Sequence, residues 1–232
     1  MKMARSVSSR CLLGLLLVLV AVLAGCGKGG NDAARDSRRD SVGDSDATTP
    51  SGAASDGKPA IPRLGIDTSM GTIVVELNPQ EAPLTVNNFL QYVDEGHYDG
   101  TIFHEIHADS AVIGGTHTND FEKKAVRVPV RNEAHNGLKN VRGAIAMAGV
   151  PGVIDSATSG FFINLADNSH LDHQDETPEG YGYCVFGKVV EGMDVADRIG
   201  KVKTHDTQDK GGKPLERVPV EPVLIRSVRL MR

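Results

Sequence analysis

The chain has 232 residues, and its 30 acidic side chains outnumber its 25 lysines and arginines to give a formal charge of −5. An acidic balance without a long basic run excludes nucleic acid as the expected partner. Hydrophobic residues make up 40% of the chain, enough for one buried core, while three widely spaced cysteines, Cys11, Cys26 and Cys184, exclude a disulfide framework and a zinc ribbon.

The first 25 residues are predicted to be a secretory signal peptide. Three basic residues precede an apolar stretch over residues 12–23, which is shorter than the roughly 20 residues of a membrane-spanning helix. The stretch ends at Leu23-Ala24-Gly25-Cys26, which resembles the lipobox of bacterial lipoproteins. The resemblance implies lipidation of Cys26 and a membrane anchor in the cell envelope. The folded domain would face the extracytoplasmic side, which in a diderm bacterium is the periplasm-facing side of the inner or outer membrane.

The residues after Cys26 are predicted to form a disordered linker that reaches residue 60. They are rich in Gly, Ser, Asp, Arg and Thr and have hardly any apolar side chains, so they cannot bury enough surface to become ordered. A flexible tether over residues 27–60 spans about 30 Å root-mean-square, which lets a folded domain move clear of a lipid surface. Residues 61–232 are then predicted to form a single globular domain.

The globular part has an apolar period of mostly two residues, which predicts short β-strands. The first two, over residues 64–67 and 73–77, flank a turn at Gly71 and are typical of a β-hairpin. Six further strands are predicted over residues 101–106, 111–113, 144–148, 161–165, 185–190 and 223–230.

Two helices interrupt the predicted strands. Apolar residues at helical spacing predict one helix over residues 85–93, and a weaker pattern predicts another over residues 193–199. Many short strands with two helices favour a mainly β fold, a closed barrel with helical caps, over a sandwich.

Several motifs follow one another in a fixed order between residues 64 and 230. They are Ala82-Pro83-Leu84-Thr85-Val86-Asn87-Asn88-Phe89-Leu90, Tyr98-Asp99-Gly100-Thr101-Ile102-Phe103-His104, Asn132-Glu133-Ala134, Ser156-Ala157-Thr158-Ser159, Phe161-Phe162-Ile163-Asn164 and Val185-Phe186-Gly187-Lys188-Val189. In identity and spacing they resemble cyclophilins of the bacterial periplasmic type. The resemblance implies a closed eight-stranded β-barrel capped by two α-helices. It also implies peptidyl-prolyl cis–trans isomerase (rotamase) activity in protein folding, with no cofactor, on proline-containing extended or unfolded polypeptides.

Such an isomerase needs an apolar pocket and a hydrogen-bond donor. Rotation about a peptide bond has a barrier of about 18–20 kcal/mol. A donor aimed at the lone pair of the twisted prolyl nitrogen lowers that rotation barrier. The resemblance implies an arginine directly after Phe103-His104, where this chain has Glu105. An ionised carboxylate only accepts hydrogen bonds. Glu105 therefore predicts weak or lost activity, with His104 retained beside it.

Other positions of the implied pocket are partly retained and partly changed. Phe162 and Leu171 are retained as the proline floor, and Tyr183 stands where the family has His or Tyr. The changed positions are Ser110, Ala111, Ile113, Gly160 and His170, which replace a phenylalanine, a methionine, two glutamines and a rim aromatic.

Two alternatives to an active isomerase remain open at the level of sequence. The first is a pseudoenzyme, a non-catalytic module on a lipid anchor that binds proline peptides or proteins. The second is a metal-binding pocket. Glu105, His107 and Asp109 alternate along the predicted strand and would share one face if the strand extends that far, with His170 opposite.

Overall fold

The computed structural model describes residues 61–231, so the predicted signal peptide, lipidated Cys26 and linker lie outside the described residues. Within this range no helix is both long and apolar enough to cross a membrane. The strands and helices follow one another as β1 (Arg63–Thr68), β2 (Gly71–Leu77), α1 (Pro83–Asp94), β3 (Thr101–His107), β4 (Ala111–Thr118), β5 (Ala144–Met147), β6 (Phe161–Asn164), β7 (Val185–Glu191), α2 (Met193–Ile199), β8 (Thr204–Gln208), β9 (Pro214–Pro219) and β10 (Val223–Leu230).

Eight of the strands close into a barrel in the order β1-β10-β3-β4-β6-β5-β7-β2, and β2 pairs with β1 to complete the ring. All eight pairs of neighbouring strands in the barrel are antiparallel. The predicted mainly β fold, a closed eight-stranded barrel with two α-helices, is confirmed. Closure leaves no free strand edge on the barrel, so the pocket described below lies on a rigid frame.

The helix α1 packs against the barrel through an aromatic cluster. Phe89 is fully buried, and its ring centroid lies 5.0 Å from that of Phe186 and 5.6 Å from that of Phe161. Pro83 occupies the first turn of the helix, where its missing N–H costs nothing. The helix therefore starts and packs as its apolar period predicts.

The buried Glu133 caps the start of α1 from a distant loop. Its carboxylate accepts hydrogen bonds from the backbone N–H groups of Leu84 (3.2 Å) and Thr85 (2.8 Å), and from the Thr85 hydroxyl (2.7 Å). A negative charge at a helix N-terminus satisfies free donors and complements the helix dipole. The Asn132-Glu133-Ala134 motif thus has a structural role in holding α1 on the barrel.

The β8–β9 hairpin is the part of the fold that the sequence did not predict. The side chains of β8 are almost all exposed, so the strand lacks the apolar alternation by which strands are recognised. β9 lies against β3 outside the barrel. The hairpin consequently brings residues near the chain's end to the strand that carries Glu105.

Candidate active site

A cavity of about 340 Å³ opens beside β3, β4 and β6 and gathers most of the predicted site residues. The predicted residues that line it are Glu105, His107, Ser110, Ala111, Ile113, Phe162, His170, Leu171 and Tyr183. They come from three strands and two loops of the chain. The structure thus places nine of the residues named as site candidates from the sequence around one cavity.

The floor of the cavity is apolar and is built on a small cluster separate from the main core. Phe162 is 4% exposed and packs with Ala111, while Ile113, Leu171 and Tyr183 pack against the same cluster and remain partly accessible. The Tyr183 ring meets Phe162 edge to face, with centroids 5.7 Å apart, a favourable aromatic geometry. This floor therefore presents apolar side chains to any group that enters the cavity.

Two predicted residues, His104 and Gly160, line a neighbouring cavity of about 390 Å³ instead of this floor. Glu105 and Ile113 border both cavities, so they mark the boundary between them. His104 is 8% exposed, and its ring centroid lies 4.8 Å from that of His117. Burial, reinforced by the proximity of His117, lowers the pKa of His104 to about 4. His104 is therefore a neutral imidazole near pH 7.

The carboxylate of Glu105 carries two polar partners at the mouth of the cavity. His107 Nε2 donates to Glu105 Oε1 at 2.6 Å, and Arg217 Nη2 donates to the same oxygen at 3.1 Å. Burial raises the pKa of the Tyr183 hydroxyl, and the negative charge of Glu105 raises it further. Tyr183 is therefore protonated and able to donate a hydrogen bond near pH 7.

The contact between Arg217 and Glu105 is the feature of the site that sequence reasoning missed. Arg217 belongs to β9 and follows Glu105 by 112 residues. No local motif marks it, because the contact depends on how the β8–β9 hairpin folds back against β3. The residue type alone, an arginine in a polar segment, gives no signal of a site.

Asp109 does not join the predicted metal-binding group, and that prediction is wrong in its geometry. The strand β3 ends at His107, and Asp109 lies in the following turn with a φ of +60°. It borders a different cavity together with Arg142 and Asp197. Across residues 61–231, no three His, Cys, Asp or Glu side chains come together in a group that could hold a metal ion.

Comparisons with known proteins agree with this fold. Residues 63–230 match the family model described as "Cyclophilin type peptidyl-prolyl cis-trans isomerase/CLD". This chain belongs to the cyclophilin-type peptidyl-prolyl cis–trans isomerase family.

Several bacterial relatives share nearly half of the matched residues. The chain is 48% identical to peptidyl-prolyl cis-trans isomerase cyp18 of Streptomyces antibioticus over 166 residues, which are 72% of this chain and 96% of the relative. It is 46% identical to peptidyl-prolyl cis-trans isomerase A of Dickeya dadantii, covering 72% and 83% of the two chains, and 45% identical to isomerase B of Escherichia coli, covering 69% and 94%.

A solved structure supports the fold at lower identity. The cyclophilin-type isomerase of Cryptosporidium parvum, crystallised in the presence of the dipeptide Ala-Pro, superposes with a TM-score of 0.57 at 21% identity. The match covers 73% of this chain and 99% of that one. The same cyclophilin barrel is thus present in both proteins.

Proposed function

We propose that this cyclophilin domain catalyses cis–trans isomerisation of X-Pro bonds in extended or unfolded polypeptides of the cell envelope. The observation that carries the proposal is the apolar floor of Phe162, Ile113 and Leu171 in a cavity of about 340 Å³ that opens to solvent. The family's activity and the Ala-Pro dipeptide present in the Cryptosporidium parvum crystal support proline as the residue bound there.

The cavity performs this reaction by stabilising a twisted peptide. An apolar floor holds the proline ring while the chain before it rotates, so the substrate's binding energy favours the rotated form. Twisting removes amide resonance and leaves a lone pair on the prolyl nitrogen. A hydrogen-bond donor at the mouth of the cavity then stabilises that nitrogen in the transition state, with no covalent intermediate.

A second candidate function is a binding module without catalysis, and Glu105 is the observation that favours it. Glu105 stands at the position where the family resemblance implies an arginine, and its carboxylate borders the cavity. An ionised carboxylate accepts hydrogen bonds and repels a lone pair. Under this alternative the floor still holds proline segments, but their exchange is not accelerated.

Refolding of a test protein whose slow phase is limited by X-Pro isomerisation distinguishes the two functions. The wild-type full-length chain should shorten that slow phase in proportion to its concentration, because uncatalysed exchange takes tens to hundreds of seconds. Ile113→Trp, which places a bulky ring in the cavity from a half-buried position, should abolish the effect. The same kind of enlargement at the exposed Val128 should leave it unchanged. Binding of the unfolded protein without a shorter slow phase would favour the binding module.

We also propose that lipidation of Cys26 anchors the domain to a membrane on its extracytoplasmic side, with residues 27–60 as the tether. The support is the lipobox-like run that ends at Cys26. In cells fed an alkyne-bearing fatty acid, the wild-type chain should become labelled and sediment with membranes, and Cys26→Ser should do neither. A wild-type chain that is unlabelled and stays in the soluble fraction would refute the anchor.

A further inference from the structure

We propose that Arg217, which a β-bulge in β9 turns toward β3, supplies the guanidinium that β3 lacks because Glu105 stands at the implied arginine position. This inference rests on the proposed isomerase function. The assignment makes Arg217 a catalytic residue that donates to the substrate at the mouth of the cavity. Glu105 then acts as the positioning residue that holds it there.

The backbone pairing of the β8–β9 hairpin is irregular beside Arg217. His205 pairs with Val218 and Thr207 pairs with Leu215, so two residues of β9 stand opposite Asp206 alone. Such a bulge turns a side chain away from its regular direction and is frequent beside active sites. Here the turned residue is Arg217.

The conformation of Arg217 itself is unusual. Its φ is +52°, a region that a residue with a Cβ rarely adopts. The Asp206 carboxylate holds this conformation by accepting the backbone N–H of Arg217 at 2.9 Å. Strained backbone of this kind is kept where the surroundings fix it and concentrates at functional sites.

The Arg217 side chain points toward β3. Arg217 Nη2 lies 3.1 Å from Glu105 Oε1 and 3.4 Å from His107 Nε2, and both of those residues line the cavity. The guanidinium therefore lies next to two residues that line the cavity, one of which is the residue that replaces the implied arginine. Ion pairing also offsets the negative charge of Glu105, which would otherwise oppose a lone pair.

Several N–H donors of the Arg217 guanidinium remain available to a substrate. A guanidinium carries five N–H donors and keeps its proton at all physiological pH values. Among residues 61–231, the hydrogen bond and ion pairs of this guanidinium, to Glu105 and Glu216, all involve Nη2, which leaves the Nε and Nη1 donors for a substrate. The side chain is 44% exposed, so a bound peptide can reach it.

Tyr183 is the rival donor, because this residue also lines the cavity and carries a hydroxyl. A phenol is neutral, whereas hydrogen bonds from a charged donor are roughly twice as strong. Arg217 is therefore the stronger donor to the lone pair that develops on the prolyl nitrogen in the transition state. A Tyr183→Phe variant should keep the catalytic rate within about tenfold of wild type, in contrast to loss of the guanidinium.

The test measures kcat and KM for cis–trans exchange of a short X-Pro peptide by the full-length chain. Arg217→Gln should lower kcat at least about 100-fold with little change in KM, as removal of one transition-state donor does. Arg226→Gln removes an exposed arginine from β10, where its nearest carboxylate, that of Asp67, is 4.0 Å away, and should retain wild-type rates. The double variant Glu105→Arg with Arg217→Gln should recover activity, because it returns a guanidinium to β3.

The outcomes separate the two proposals. A wild-type chain with no activity refutes the isomerase function and this inference together. An active wild type whose Arg217→Gln variant matches Arg226→Gln overturns the inference alone, as does a variant that changes KM and leaves kcat unaltered. Folding of each variant is checked by its far-UV circular dichroism spectrum, and the exposure of the Arg217 side chain, 44%, favours a folded Arg217→Gln variant.

Discussion

The rings of His104 and His117 stand 4.8 Å apart under the barrel surface next to the cavity, and Thr116 Oγ1 contacts both rings, at 3.2 Å from His104 Nε2 and 2.8 Å from His117 Nδ1. Both imidazoles are nearly buried. Two neighbouring buried imidazoles cannot both accept protons without cost, so this pair couples the stability of the domain to acid.

Acid should destabilise the fold over a defined window because of His104. Burial lowers the pKa of His104 from 6.5 to about 4, so the unfolded chain binds the extra proton between these values. The free energy of unfolding is highest above pH 6.5, where His104 is neutral in both states. It should fall by about 3 kcal/mol as the pH drops from 6.5 to about 4.

Urea unfolding at pH 7.5 and at pH 4 measures this loss. His104→Gln should reduce the difference in unfolding free energy between the two pH values by about 3 kcal/mol. His170→Gln, at an exposed position, should leave that difference unchanged. An unchanged pH dependence in His104→Gln would show that the imidazole is not held neutral by the fold.

The aromatic floor of the cavity should set affinity more than rate. Phe162→Leu removes the ring that meets Tyr183 edge to face. Because this ring forms part of the apolar floor, the KM for a proline peptide should rise about three- to tenfold, which is about 0.7–1.4 kcal/mol of lost contact with the proline ring. The neighbouring Phe161 points to the main core and is fully buried. Phe161→Leu should lower stability and leave KM unchanged; equal effects of both variants on KM would contradict this division.

Glu133 should stabilise the domain through the start of α1. Glu133→Gln keeps the shape of the side chain but removes the charge that accepts three hydrogen bonds from Leu84 and Thr85. We expect a loss of about 1–2 kcal/mol in the free energy of unfolding, measured in urea at pH 7. The exposed Glu81→Gln should change it by less than about 0.5 kcal/mol. Equal losses of unfolding free energy in the two variants would show that Glu133 does not stabilise the start of α1.

Two serines should respond oppositely to loss of their hydroxyls. Ser159 is fully buried, and its Oγ has no hydrogen-bond partner in residues 61–231. Ser159→Ala should leave thermal stability unchanged or raise it, because a buried unpaired hydroxyl is unfavourable. Ser156 Oγ accepts from the Val150 N–H and donates to the Val153 carbonyl, both at 2.7 Å. Ser156→Ala should cost about 1 kcal/mol; a larger loss at Ser159 than at Ser156 would contradict the prediction.

The barrel could be predicted from sequence because its strands bury one face and so show a period of two. All eight barrel strands and both helices lie where the apolar pattern places them, although β4 runs on from Ile113 to Thr118 through two glycines. One of these, Gly115, has a φ of +89°, and an added Cβ would lie 2.9 Å from the Tyr98 ring. Because glycines interrupt the apolar pattern, the sequence does not indicate how far β4 extends beyond Ile113.

The site was predictable only as far as local motifs reach. Phe162, Leu171 and Tyr183 meet as expected, because their motifs belong to barrel elements with fixed partners. Asp109 was misplaced because a turn with positive φ ends the alternation of β3. Arg217 was missed because its approach to Glu105 depends on a bulge in an exposed hairpin, which leaves no apolar signature.

The measurement that tests the account most directly is NMR magnetisation exchange between the cis and trans resonances of an Ala-Pro peptide, with the wild-type full-length chain at catalytic concentration. Spontaneous exchange takes tens to hundreds of seconds. The account predicts exchange cross-peaks at mixing times of about a second, with a rate that rises in proportion to the protein concentration. Exchange no faster than in buffer alone would contradict the central claim that this cyclophilin domain is an active isomerase.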